Sequence, residues 1–182
     1  MTDAPQGYVD ELEANRDEKD QFFDEHPQSP IPPEERDDFD GLDYFDPAPE
    51  YRVTATVSTV DPPEPVEMET SDGRTVRYLR VVTFAFDLDG EAYELAGYRQ
   101  PDDDSGGVFV PFRDKTTGQQ TYPGGRYMEL EPDGDLADGD EVTLDFNLAY
   151  NPFCAFSETF SCPLPPEENW LETTVAAGEK EY

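Results

Sequence analysis

The chain has 182 residues, with 44 Asp and Glu against 12 Lys and Arg and a formal charge of -32 at pH 7. So few cations leave no basic face for phosphate, which excludes nucleic acid as a partner, and no run approaches the roughly 18 apolar residues of a membrane-spanning helix. A chain of this length buries about 70% of its unfolded surface, so folding requires neither disulfide nor metal, and no cofactor is implied.

The acids are spread along the chain and not confined to a tail. At ordinary ionic strength their repulsion opposes compaction, whereas at molar salt the Debye length is ~3 Å and neighbouring carboxylates scarcely interact. The composition points to a halophilic cytosol. The competing readings are an acidic chain that binds basic partners and a partly disordered one. Ten Tyr and twelve Phe argue against wholesale disorder. The start, MTDAPQGYVDELE, lacks a positive n-region and an apolar h-region, so the expected location is cytoplasmic.

One domain is expected, with a helix in residues 1–28, an extended strap in 29–50 and a β body in 51–182. Tyr8, Leu12, Phe22 and Phe23 fall at helical spacing with Arg16 and Lys19 on or near the stripe, and Pro27 stops the helix. His26, the sole histidine, stands at that helix end, where a cation suits the dipole better than a metal that no second histidine could share. Prolines 30, 32 and 33 then predict an extended strap pinned by Phe39, Leu42, Tyr44 and Phe45.

Val53, Ala55 and Val57 alternate as in a half-buried strand; DPPEP reads as a break, and a short alternation follows at Val66 and Met68. The longest strand, Val76 to Phe86, carries apolar residues on both faces, as a central strand covered twice would. Asp89–Gly90 is a hairpin signal, with Tyr93 and Leu95 on the return. Pro101 to Gly107 is a solvated loop. Val108, Val110 and Phe112 share a face, Thr117–Gly118 marks a turn, and Arg126 to Leu130 returns. Val142, Leu144 and Phe146 alternate after Asp138–Gly139. Prolines 152, 163, 165 and 166 make a long coil, and Leu171, Thr173 and Val175 read as a closing strand. These elements predict a mainly β fold, an antiparallel barrel or sandwich of about eight strands with an N-terminal helix and a long proline-rich C-terminal coil.

The segments FRDKTTGQQTYPGGRY, DFNLAYNPFCAFS, SCPLPPEENWL and AGEKEY resemble, in order, the family called domain of unknown function 1684. SPIPPE and FDGLDYFDPAPEYRV match it as well, so the resemblance covers most of the chain from about Ser29. It implies a shared fold and site, and it carries no established activity.

Candidate site residues therefore come from the side chains themselves. Arg113 and Arg126 could approach each other across a strand pair beside Asp114 and Tyr122, where two guanidiniums near glycines would suit a carboxylate or phosphate. Equally, each could pair with one of the many acids. Asn147, Tyr150 and Asn151 stand where a strand hands over to coil, and their side chains could bind a polar ligand or satisfy that coil. Cys154 and Cys162 could form a disulfide contributing about 2.5 kcal/mol, but a reducing cytosol favours two inert thiols. Zinc would need two further ligands, and a nucleophilic thiol wants a base where the local sequence offers Glu158. Lys is so scarce that Glu179–Lys180 suggests an ion pair closing the C-terminus. With no nucleophile–base pair, a catalytic residue cannot be assigned. The two readings are a pocket for a small polar or anionic ligand, enzymatic or only binding, and a structural or protein-interaction module.

Overall fold

The computed structural model describes residues 5–103, 106–132, 134–157 and 160–182. It is mainly β. One long helix, α1 (Tyr8–Glu25), precedes strands β1 (Arg52–Glu69), β2 (Thr75–Leu88), β3 (Glu91–Arg99), β4 (Val108–Phe112), β5 (Arg126–Leu130) and β6 (Glu141–Asp145). The strands form one sheet in the order β5-β4-β3-β2-β1-β6, with every pair antiparallel. Asp104 and Ser105 of the expected solvated loop, and Glu158 beside the cysteines, lie outside the described residues.

The sheet has six strands where about eight were expected, for two physical reasons. DPPEP does not end a strand: β1 runs through it, its register against β2 slipping between Thr59 and Glu64 before pairing resumes as far as Glu69. Prolines are tolerated there because β6 pairs only Arg52 to Thr56. Beyond Val57, which still bonds to Gly139 and Asp140, no described strand pairs with the outer edge of β1 along the prolines, so a missing N–H breaks no ladder. The closing strand is instead an extended coil. Its alternation reflects burial, with Leu171 and Val175 in the core. It lies beside the end of β4, where the Leu171 amide donates to the Arg113 carbonyl (2.7 Å) and the Lys115 amide to that of Thr173 (3.0 Å).

The Asp89–Gly90 turn forms as the sequence suggests, with both residues at positive φ (53° and 84°), the geometry a two-residue hairpin favours. The central strand β2 uses its two faces differently. Val82, Phe84, Phe86 and Leu88 enter the main core with Val53, Ala55, Val57, Val108, Val110 and Phe112. In an unbroken strand Tyr78 would share their face. A register shift against β3 between Arg80 and Val82 turns it to the opposite side, where it packs with Met68, Ala96 and Tyr98. The sheet therefore has a second, aromatic face at one end.

The helix buries Leu12 and Phe23 and packs through Phe23 against Ile31, Leu42 and Phe156. Its Arg16 Nη1 donates to the Phe45 carbonyl (2.9 Å), and Tyr8 donates its hydroxyl to Asp145 (2.6 Å). At the helix end the His26 ring stacks on Phe22, centroids 4.3 Å apart.

Candidate functional site

Arg126 opens β5, paired with Phe112 and therefore aimed into the core with it. Its side chain is fully buried. Nη1 donates to the carbonyls of Ala177 and Glu179, and Nη2 donates to that of Val175 (2.9 Å) and lies 3.5 Å from Asp114 Oδ1. Burial pulls the guanidinium below its usual range, and Asp114 and Glu179 partly offset this. The Asp114 carboxylate also accepts from the Val175 amide (2.7 Å) and the Thr116 hydroxyl (2.8 Å). Together these bonds fasten the C-terminal coil to the sheet. Gly178 fits the same crossing: at φ 83° it passes so close that a Cβ would lie 2.7 Å from the carbonyls of Phe146 and Ala149.

Arg113, one position beyond β4, alternates to the other side. Its guanidinium lies over the Trp170 ring, 4.8 Å from the centroid, along a surface groove shared with Lys115 and Glu167. The two arginines thus stand on opposite faces and do not meet. Period-two alternation across the Phe112–Arg126 pair accounts for this.

The asparagines act as substitutes for strand backbone. Asn147 accepts from the Ala48 amide (2.9 Å) and donates to the Ala48 carbonyl (2.8 Å). Asn169 does the same with Ala96 (2.8 and 2.9 Å) and donates also to Pro111 (2.7 Å), bridging β3 and β4 where they diverge beyond Tyr98 and Phe109. Asn169 was not singled out from sequence; its place before Trp170 in a proline-rich coil is the only local signal. Asn151 donates its side-chain Nδ2 to the Lys180 carbonyl (2.8 Å), and its backbone N–H donates to the Glu179 carboxylate (3.1 Å). The ion pair of Glu179 is with Lys19 of α1, not with the adjacent Lys180, whose Nζ lies 5.1 Å from the Phe45 ring centroid.

Cys154 and Cys162 are both half-buried free thiols, with sulfurs 2.6 Å apart. Burial pushes the Cys162 thiol up to about 12, and the neighbouring Cys154 adds to the effect. That is the opposite of what activates a nucleophile. Ser71, at the tip of the β1–β2 hairpin, contacts Cys154 through its hydroxyl (3.0 Å) and exchanges backbone and side-chain bonds with Cys162. Tyr122 lies over Gly124, and burial pushes its phenol up. Among the described residues no three His, Cys, Asp or Glu side chains gather as a metal ion would require.

Of the predicted ligand-binding residues, Arg113 and Asp114 line the shallow groove beside Trp170, and Tyr150 reaches a second, aromatic opening. A cavity of about 470 Å³ lies on the second face of the sheet. Tyr78, Tyr98, Phe109 and Tyr127 supply its walls from β2 to β5, and the coil contributes Tyr150, Phe153, Phe160 and Cys162. This volume is within the range of small-molecule sites. Sequence reading missed the cavity because Phe109 and Tyr127 occupy alternate positions of strands whose other face is the core.

No curated protein matches the chain. The solution NMR structure of an uncharacterized protein of Haloarcula marismortui is 71% identical, with 96% of this chain and 95% of that one covered at a TM-score of 0.76. None of the described helices is long and apolar enough to cross a membrane. The model of the family described as protein of unknown function (DUF1684) matches residues 37–180, and the chain belongs to that family.

Proposed function

We propose that this protein binds a small molecule in the aromatic cavity between the second face of the sheet and the coil residues Tyr150 to Phe153 and Phe160 to Pro163, in a halophilic cytosol. The observation that carries the reading is the cavity itself: about 470 Å³ framed by aromatic rings from four consecutive strands of the sheet. A rigid scaffold below and a coil above is a common arrangement for binding. Asn151 supports it by tying the start of that coil to Glu179 and Lys180, a segment that Arg126 and Asp114 in turn fasten to the sheet, while Asn147 secures the strap at Ala48. The alternative, a structural or interaction module, draws on the same fastenings and on the exposed Arg113–Trp170 stack.

A fragment library screened by thermal shift in molar salt, followed by mapping of hits with NMR, tests the reading. Hits should perturb Tyr78, Phe109 and Tyr127. A screen whose only hits map to Arg113 and Trp170, or that yields none, would favour the module.

A further inference from the structure

Arg16 reaches from α1 to the body of the protein, and only part of its guanidinium is used there. Nη1 donates to the Phe45 carbonyl (2.9 Å), and the group lies over the Tyr44 ring, 4.5 Å from the centroid. Nε and Nη2 are both shut off from solvent and have no hydrogen-bond partner among the described residues. These two nitrogens carry the parallel N–H pair of the side chain, the fork with which arginine holds an anion. Buried donors are nearly always matched, by protein, water or an ion.

The same side chain lines a cavity of about 120 Å³ between α1 and residues 147–150. The other charged groups on the wall are Lys19 and Glu179, which pair with each other, and Glu179 also accepts from the Asn151 backbone N–H (3.1 Å). Two cations therefore stand against one carboxylate. Burial pulls the Arg16 guanidinium below its usual range; Glu13, an exposed residue, and Glu179 oppose this, but neither forms an ion pair with it. Asp20 is turned to the Leu42 amide (3.0 Å) and the Tyr44 hydroxyl (3.5 Å). Of the neutral groups on the wall, Tyr150 donates to Glu129, the Asn147 side chain is engaged by Ala48 and Asp145, and Asn15 is exposed. Burial pushes the Tyr44 and Tyr150 phenols up, so neither adds a negative charge at neutral pH. Water would satisfy the free fork but not its charge, and a buried charge without counter-charge is costly. The volume suits a monatomic anion with one or two waters of roughly 30 Å³ each.

We propose that this cavity is a halide site, in which one chloride ion accepts from Nε and Nη2 of Arg16 beside the Lys19–Glu179 pair. The ion completes the docking of α1 and gives the fold a use for chloride separate from the screening of surface acids. Weak affinity suffices: at about 1 M chloride a site with a dissociation constant of roughly 0.1 M is about nine-tenths filled. The test is NMR of the full chain at constant molar potassium, with chloride replaced stepwise by gluconate, an anion too large for the cavity. The Arg16 Nε–H and the Tyr44 ring are expected to shift saturably with chloride, while positions far from α1 do not. Arg16→Met keeps the reach of the side chain without the fork and should abolish the saturable Tyr44 shift. Arg16 and Tyr44 resonances that are the same in both salts, or that drift linearly with chloride along with the rest of the chain, overturn the proposal and assign the cavity to water. Because that comparison uses the wild-type chain, it decides the matter whether or not the variant folds.

Discussion

At the scale of single residues, a buried guanidinium carries the strongest constraint. Arg126 satisfies carbonyls of three residues, Val175, Ala177 and Glu179, that no neutral side chain of similar length could serve. Removing it leaves those carbonyls and Asp114 short of partners inside the core, and breaking a buried ion pair from one side costs about 3–5 kcal/mol. Arg126→Ala should therefore unfold or lose most of its stability in chemical denaturation, and Arg126→Lys should recover little, because an ammonium lacks the planar fork. Arg113→Ala, by contrast, removes a surface stack and should shift the midpoint by less than about 1 kcal/mol. Asn169→Leu is a second sharp case: it strands the Ala96 amide and carbonyl and the Pro111 carbonyl, for an expected loss of about 3 kcal/mol. Part of this was legible. Alternation along RYMEL puts Arg126 on the face of Met128, a core position, and an Arg there had to be paired within the protein. The partners were not legible, because Asn169 and Ala96 lie 73 positions apart and only the folded coil brings them together.

Among the elements, α1 and the β1–β2 hairpin each dock in part through a charged contact, and each gives a prediction. Glu179 is almost wholly buried and relies on Lys19 of the helix, whose side chain is about one-third exposed. Lys19→Met should cost about 2–3 kcal/mol, and Lys19→Met combined with Glu179→Gln should recover part of the loss. At the hairpin tip, Arg74, Thr70 and Ser161 hold the Asp72 carboxyl well below the usual carboxylate range. A carboxyl depressed on folding supports the native state above its unfolded value, about 3.9, and loses that support as pH falls through the folded one. NMR titration should find Asp72 still ionised at about pH 3, where ordinary carboxyls are largely protonated. Asp72→Asn should remove that signature and loosen the contact with Ser161. The helix, the Asp89–Gly90 turn and the core strands were readable because each has its own period or turn chemistry. The second half of β1 was not, since three prolines read as a stop unless the edge they face is known to be open. Nor was the aromatic face, because the bulge that turns Tyr78 away from Phe84 leaves no mark in the hydrophobic pattern.

For the whole molecule, the question is what a formal charge of -32 does to a fold of this size. The few cations are largely committed: Arg126 to the coil, Lys19 to Glu179, Arg80 to Glu64 and Glu168, and Arg74 to Asp72. Most carboxylates therefore face water with only solution ions to screen them. At about 0.1 M salt the Debye length is ~10 Å, long enough for each carboxylate to feel several neighbours, whereas at 1 M it is ~3 Å. Circular dichroism is expected to show the native β signal in about 2 M KCl and its loss at low salt. Two controls separate screening from the general salting-out of apolar surface. Screening should saturate by roughly 1 M chloride, while exclusion continues to strengthen with concentration and is greater for sulfate. Mild acidification to about pH 4.5, which neutralises part of the carboxylates, should restore structure at low salt if repulsion is the cause. A chain equally folded at both salt concentrations would overturn the assignment of the charge to salt adaptation, and binding of basic partners would then become the reading to pursue for these acids.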